Sequence, residues 1–185
     1  MVVEKEEKIF TKEKVIKEIK STLITLAIIV VIAFVINSTL VTQAHVISGS
    51  MENTIMTGSR VVVNRTAYAF NEPERFDIIM FTAPSSDFSE PFIKRIIGLP
   101  NERVEIIDGL VFINGAVQPL DNSFVKGDAW GNYGYFIVPD DSFFVLGDNW
   151  NGSSDSRHWA NRFVPRDSIY GRVVLEFFPT PQILD

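Results

Sequence analysis

Three stretches of this 185-residue chain carry side chains that could do chemistry, and each has a plain alternative. The first is Ser48-Gly49-Ser50-Met51. A Ser that follows Gly in a tight turn presents its hydroxyl and its backbone N–H in one place, which suits a nucleophile; a polar linker has the same composition. The second is Phe92-Ile93-Lys94-Arg95-Ile96-Ile97-Gly98-Leu99-Pro100. A buried Lys loses hydration, its pKa falls, and the neutral amine can take a proton from Ser. On an exposed edge strand the same Lys only guards against aggregation. Because side chains alternate along a strand, Lys94 and Arg95 go to opposite faces, so one could be internal and the other external. The third is Gly147-Asp148-Asn149-Trp150-Asn151-Gly152-Ser153-Ser154-Asp155-Ser156-Arg157. Such a run of hydrogen-bonding residues can brace a site, with Asp155 paired to Arg157; it is also what a solvated loop of Asx turns looks like. His158 follows directly and offers a Ser–His alternative, although a His beside Trp159 is commonly just part-buried.

These residues must be positioned by two kinds of element. From Ser21 to Met51 there is no Asp, Glu, Lys or Arg, and the stretch 21–41 is apolar without Pro or Gly. As a helix, about 20 residues span roughly 30 Å, one hydrocarbon core. Lys5, Lys8, Lys12, Lys14, Lys17 and Lys20 precede it, and the next Lys or Arg is Arg60. The positive-inside rule then predicts a cytoplasmic segment 1–20, a transmembrane helix 21–41 and an extracytoplasmic catalytic domain 42–185 in a single-pass cell-membrane protein. A cleavable leader ending at Ala44 is the competing interpretation; the long charged segment and the mediocre Thr42-Gln43-Ala44 site weigh against it. Beyond residue 45, Arg60–Asn64, Asp77–Thr82, Val104–Ile107, Leu110–Ile113, Tyr135–Val138, Ser142–Leu146 and Ile169–Phe178 are β-branched or aromatic and predict strands. Asp108-Gly109 and Asn114-Gly115 predict hairpins around Val104–Pro119. Residues 84–90 and 121–133 read as polar loops. The fold class is mainly β, preceded by one helix.

Composition removes several functions. The apolar share is 46%, enough for a core. Setting aside the first 20 residues, with six Lys and five Glu, leaves 11 basic against 18 acidic side chains, which argues against a nucleic-acid partner. The absence of Cys excludes a thiol nucleophile, a disulfide and a Cys-held metal, and the two His show no ligand spacing.

Together the stretches resemble the type I signal peptidases, serine proteases with a Ser–Lys dyad, and more the Gram-positive kind with a single anchor. The family's boxes occur here in order as Ser48-Gly49-Ser50-Met51-Glu52-Asn53-Thr54, Arg75-Phe76-Asp77-Ile78-Ile79-Met80-Phe81, Lys94 to Pro100 and Gly147 to Arg157. The resemblance implies a β-rich catalytic domain with a short inserted lobe at about 102–138. It implies Ser50 as nucleophile, Lys94 as general base, and an oxyanion hole from the Ser50 N–H and the Ser48 hydroxyl. Ser153 would orient the amine, with Asp155 and Arg157 holding its loop. Val46, Ile47, Met51, Ile55, Met80, Phe92 and Ile93 would line shallow pockets that admit Ala-like side chains at −1 and −3 of an extended substrate. The implied partners are signal peptides of exported preproteins and membrane lipids, with no metal and no organic cofactor. Four positions depart from the pattern: the family usually has Pro at Asn53 and Gly at Phe76 and Asn101, and Arg is common at Trp150. Asn53 is expected to loosen the turn after the nucleophile. Three other functions compete: a cytosolic Ser–Lys autoprotease of the repressor type, a membrane-tethered β module that only binds, and an inactive member of the family.

Overall fold

The computed structural model describes residues 2–82, 90–127 and 131–184. The chain forms two compact units, Met1–Leu40 and Val41–Asp185. The expected loop at 84–90 lies, apart from Glu90, outside the described residues, as does the 128–130 part of the loop at 121–133.

The first unit is one helix, α1 (Val2–Thr39). Its stretch Lys14–Val35 has a mean hydropathy of 2.2 and is long and apolar enough to cross a membrane. Its apolar side chains from Val15 to Val35 are all exposed, so the chain itself does not cover them. Two hydroxyls within it bond to the helix backbone: Thr22 Oγ1 donates to Glu18 O at 2.9 Å and Thr25 Oγ1 to Ser21 O at 3.0 Å. Hydroxyls satisfied in this way are tolerated in hydrocarbon. The helix differs from the expected span at both ends. It starts well before Ser21, because the Lys- and Glu-rich segment consists largely of good helix formers. It stops before Val41, which opens strand β1 (Val41–His45) instead. There the backbone of Val41 through His45 pairs antiparallel with β2 (Arg60–Asn64).

The second unit is mainly β. An eight-stranded sheet has the order β1-β2-β10-β3-β4-β8-β9, with β11 beside β10. Here β3 is Ile78–Phe81, β4 Phe92–Gly98, β8 Ser142–Leu146, β9 Val164–Pro165, β10 Ile169–Phe178 and β11 Gln182–Ile183. A separate three-stranded sheet, order β6-β5-β7, is made of β5 (Arg103–Ile107), β6 (Leu110–Ile113) and β7 (Gly134–Ile137). Asp108 and Gly109 have φ of 48° and 75°, and Ile107 pairs with Leu110, the two-residue hairpin their types demand. Asn114 and Gly115 also take positive φ, but no second hairpin follows. The segment after them exposes Val117 and contains Pro119, which has no N–H for a ladder, so β5 takes β7 as its other neighbour.

Strand β4 is interior, between β3 and β8, and is fully buried from Lys94 to Gly98. Ile96 packs with Phe81, Phe143 and Trp159, whereas Ile97 packs with Val104, Phe144 and Leu146. Both faces of the strand are therefore covered. Of the two arrangements left open for Lys94 and Arg95, one inside and one outside is not the one adopted: they are 1% and 4% exposed.

Candidate active site

Ser50 lies in a single 3-10 turn, Gly49–Met51, that follows the extended residue Ser48. Met51 anchors the turn by burying itself among Val46, Ile55, Val61 and Val63. Backbone bonds from Thr54 N and Ile55 N to Met51 O, at 3.1 and 2.8 Å, close the next turn. On the other side Asn149 grips the backbone of this turn: its N–H donates to Ser50 O and its Nδ2 to Gly49 O, both at 3.0 Å. This approach requires glycine at 147, where a Cβ would stand 2.3 Å from Ser50 O.

Lys94 reaches this turn from β4. Its Nζ is 2.5 Å from Ser50 Oγ. Burial pushes the amine's pKa down to about 8, and the Arg157 cation acts in the same direction. The Asp155 and Asp148 carboxylates oppose the shift, but burial is the largest effect. Ser48 Oγ lies 3.4 Å from Ser50 Oγ. The structure thus brings Ser48, Ser50 and Lys94 together.

The Gly147–Arg157 segment is not a solvated loop. Asp155 and Arg157 form a buried two-pronged ion pair, with Arg157 Nε and Nη2 each 2.8 Å from a carboxylate oxygen. Arg157 Nη2 also donates to Trp150 O at 2.7 Å, and Gly147 N to Asp155 Oδ2 at 3.2 Å. Ser153 is buried against Gly147, but its Oγ has no hydrogen-bond partner among the described residues, so no bond to the Lys94 amine is present. His158 is set apart: its side chain is 45% exposed and its Nδ1 lies 3.8 Å from Asp155 Oδ1.

A groove of about 390 Å³ opens beside Ser50, lined by residues 45–48, Ser50, Met51 and 90–93. Of the expected lining, Val46, Ile47, Met51, Phe92 and Ile93 are present. Ile55 and Met80 are not; both pack in the core beneath it with Val61 and Val173. Strand β8 pairs only with the Arg95–Gly98 end of β4, so among the described residues no strand runs along the β8 side of Ile93 and Lys94.

Sequence reasoning missed a second buried ion pair. Arg95 Nε and Nη2 donate to the Asp148 carboxylate at 2.9 and 2.7 Å, and Thr54 Oγ1 donates to the same carboxylate. Arg95 sits next to Lys94 and Asp148 inside the last box, so the signal was a strand with two adjacent cations and only one of them assigned. Three of the four departures from the family pattern fall at positive φ, which accounts for Asn53 and Asn101; nothing in the structure explains Phe76 or Trp150. Asn53, Phe76 and Asn101 have φ of 96°, 75° and 66°, the left-handed region that Gly and Asn tolerate best. Pro cannot adopt such a φ. The expected loosening at Asn53 is not seen, because its Nδ2 donates to Phe124 O at 2.8 Å.

Comparison with known proteins identifies the family. The family described as "Signal peptidase, peptidase S26" matches residues 19–178. A probable signal peptidase I-2 of Synechocystis sp. is 36% identical, over 86% of this chain and 73% of its own. A signal peptidase I of Leptolyngbya laminosa is 39% identical over 86% and 79% of the two chains. The signal peptidase I P of Bacillus subtilis subsp. natto is 35% identical over 91% and 95%. With a Ser and a buried Lys in contact at the heart of a β domain, and with similarity that runs from the helix to the last long strand, the chain belongs to the signal peptidases, the S26 family of serine peptidases.

Proposed function

We propose that this protein is a membrane-anchored endopeptidase that removes signal peptides from exported preproteins after Ala-x-Ala-like sites. The observation that carries the reading is the 2.5 Å approach of Lys94 Nζ to Ser50 Oγ in a buried setting that lowers the amine's pKa. In the first half-reaction the neutral Lys94 amine takes the Ser50 hydroxyl proton while Oγ adds to the scissile carbonyl. The Ser50 N–H and the Ser48 hydroxyl donate to the resulting oxyanion. The Lys94 ammonium then returns the proton to the leaving amine as the C–N bond breaks, leaving an ester on Ser50. In the second half-reaction Lys94 takes a proton from water, the hydroxide adds to the ester, and the proton returns to Ser50 Oγ as the acid leaves. Ser153 Oγ, unpaired among the described residues, turns to the Lys94 amine to hold it in line during these transfers, and the Asp155–Arg157 pair fixes its loop.

Substrate lies extended along the open side of Ile93 and Lys94, adding a strand there. Val46, Ile47, Met51, Phe92 and Ile93 bound the space for small side chains at −1 and −3. Helix α1 crosses the membrane with its Lys-rich end in the cytoplasm, and the unit from Val41 onward works outside, beside the bilayer that also holds its substrates. The sheet of β5, β6 and β7 is the inserted lobe.

The test is to incubate the detergent-solubilised chain with a preprotein and sequence the N-terminus of the product. Cleavage after an Ala-x-Ala-like site by the wild type, and none by Ser50→Ala, is expected. With Phe in place of Ala at −1, cleavage should fall by more than tenfold, because a large side chain clashes rather than merely binding less well. Equal cleavage of the two substrates would remove the pocket assignment; undiminished cleavage by Ser50→Ala would remove the nucleophile.

A further inference from the structure

The dyad joins two segments that no strand pairing connects directly. Ser50 belongs to the turn after β1, and Lys94 to β4. One loop, Asp121–Gly127, touches both sides. Towards the nucleophile, Phe124 O accepts the Asn53 amide at 2.8 Å, and Lys126 Nζ pairs with Glu52 at 2.6 Å. Towards the base, the Phe124 ring lies 4.5 Å from the Arg95 guanidinium carbon and 5.7 Å, edge to face, from the Phe76 ring. The Lys126 N–H donates to Asp148 O at 2.8 Å, behind the carboxylate that holds Arg95. The loop is itself shaped by Asp121, which accepts from Ser123 N and Oγ, both at 3.0 Å, and is pinned by Val125, buried in the cluster that contains Ile97.

We propose that Asp121–Gly127 is a clamp that sets the separation of Ser50 and Lys94, with Phe124 and Asn53 as its positioning residues. The proposal rests on the Ser50–Lys94 assignment and adds to it what holds the pair in register. Two features make these contacts more than packing. Asn53 sits at φ 96°, a backbone that glycine would adopt more easily, yet the residue present has the amide that reaches Phe124 O. Phe124 presents its ring to the guanidinium of Arg95, the immediate neighbour of Lys94, so a shift of the ring passes to β4 through a single residue. Proton transfer between groups 2.5 Å apart tolerates little displacement.

The experiment uses the full chain in detergent with one preprotein, and measures kcat and KM against pH for wild type, Asn53→Gly, Phe124→Leu and Phe124→Tyr, with Lys94→Arg as control. Asn53→Gly keeps the turn's backbone unstrained and deletes only the amide, so it avoids a folding defect. The clamp predicts that Asn53→Gly and Phe124→Leu each lower kcat by about tenfold with KM within about twofold. It also predicts that their acid limb moves to higher pH as water reaches the loosened amine. Phe124→Tyr, which keeps the ring over Arg95, should restore kcat to near the wild-type value. Wild-type kcat and an unmoved acid limb in both Asn53→Gly and Phe124→Leu, even with a lowered melting temperature, would overturn the clamp while Lys94→Arg remained dead. Activity in Lys94→Arg would instead overturn the dyad, and the clamp with it.

Discussion

At the scale of single residues, the proposed role of Lys94 ties activity to stability. In the unfolded chain its ammonium keeps its proton up to about 10.5, and in the folded chain only up to about 8. Between these values the unfolded state binds more protons, so folding stability rises with pH from about 8 to about 10.5 and levels off above. Below about 8 both states are charged, and burying the ammonium costs about 3 kcal/mol, at about 1.4 kcal/mol per pKa unit. Lys94→Met fills similar volume without the charge. It should abolish cleavage, raise the unfolding free energy at pH 7 by roughly 1–3 kcal/mol and flatten the rise above pH 8. Denaturant titration followed by circular dichroism at pH 7 and pH 10 measures this; a destabilised Lys94→Met at both pH values would mean that the amine is not penalised. The contact between Ser50 and Lys94 was legible as a candidate because their types are rare in such settings: a Lys inside an apolar run, and a Ser flanked by Gly and Met. Arg95 was not legible in the same way. Alternation along a strand says which face a side chain takes, not whether another layer covers that face, and the Asp148 that neutralises Arg95 is 53 positions away in sequence.

At the scale of elements, the Arg95–Asp148 pair joins β4 to the segment that follows β8, and Thr54 connects it to the nucleophile's turn. Arg95 and Asp148 are 4% and 0% exposed, so removing one partner strands a charge in the interior. Asp148→Ala should lower stability by about 3–5 kcal/mol, whereas Arg95→Met combined with Asp148→Leu should recover at least half of that loss. Chemical denaturation of the two variants tests it; a double variant no more stable than Asp148→Ala would show that the pair contributes net stability rather than registry. The long strands were legible from their β-branched and aromatic content, and the β5–β6 hairpin from its Asp-Gly turn. Strand β1 was hidden because it follows the uncharged stretch with no Pro or Gly between them, and only two of Val41-Thr42-Gln43-Ala44-His45 are β-branched, so composition does not say where helix gives way to sheet. The two-residue strands β9 and β11 are too short to show any period and exist only because β8 and β10 offer them an edge.

At the scale of the whole molecule, the account requires a catalytic unit outside the membrane and an anchor within it. Protease added to intact spheroplasts should digest the part after Val41 and leave a fragment containing α1 in the membrane; protection of that part, or release of a soluble form beginning near His45, would contradict the arrangement. The plan of an apolar helix followed by a β domain was legible in the sequence because it depends on a long uncharged run and on the order of four boxes, both one-dimensional properties. The clamp at Asp121–Gly127 was not, since Asn53 and Phe124 are 71 positions apart and a polar loop gives no sign of what it touches. The central claim is that Lys94, and not His158, takes the proton from Ser50. The measurement that tests it most directly is kcat/KM for preprotein cleavage against pH with wild type, Lys94→Arg and His158→Ala, each checked for folding by circular dichroism. The account predicts a wild-type acid limb with its midpoint near pH 8, the same limb and most of the activity in His158→Ala, and no cleavage at any pH by Lys94→Arg, whose guanidinium stays charged. Cleavage by a folded Lys94→Arg, or its loss in a folded His158→Ala, would contradict it.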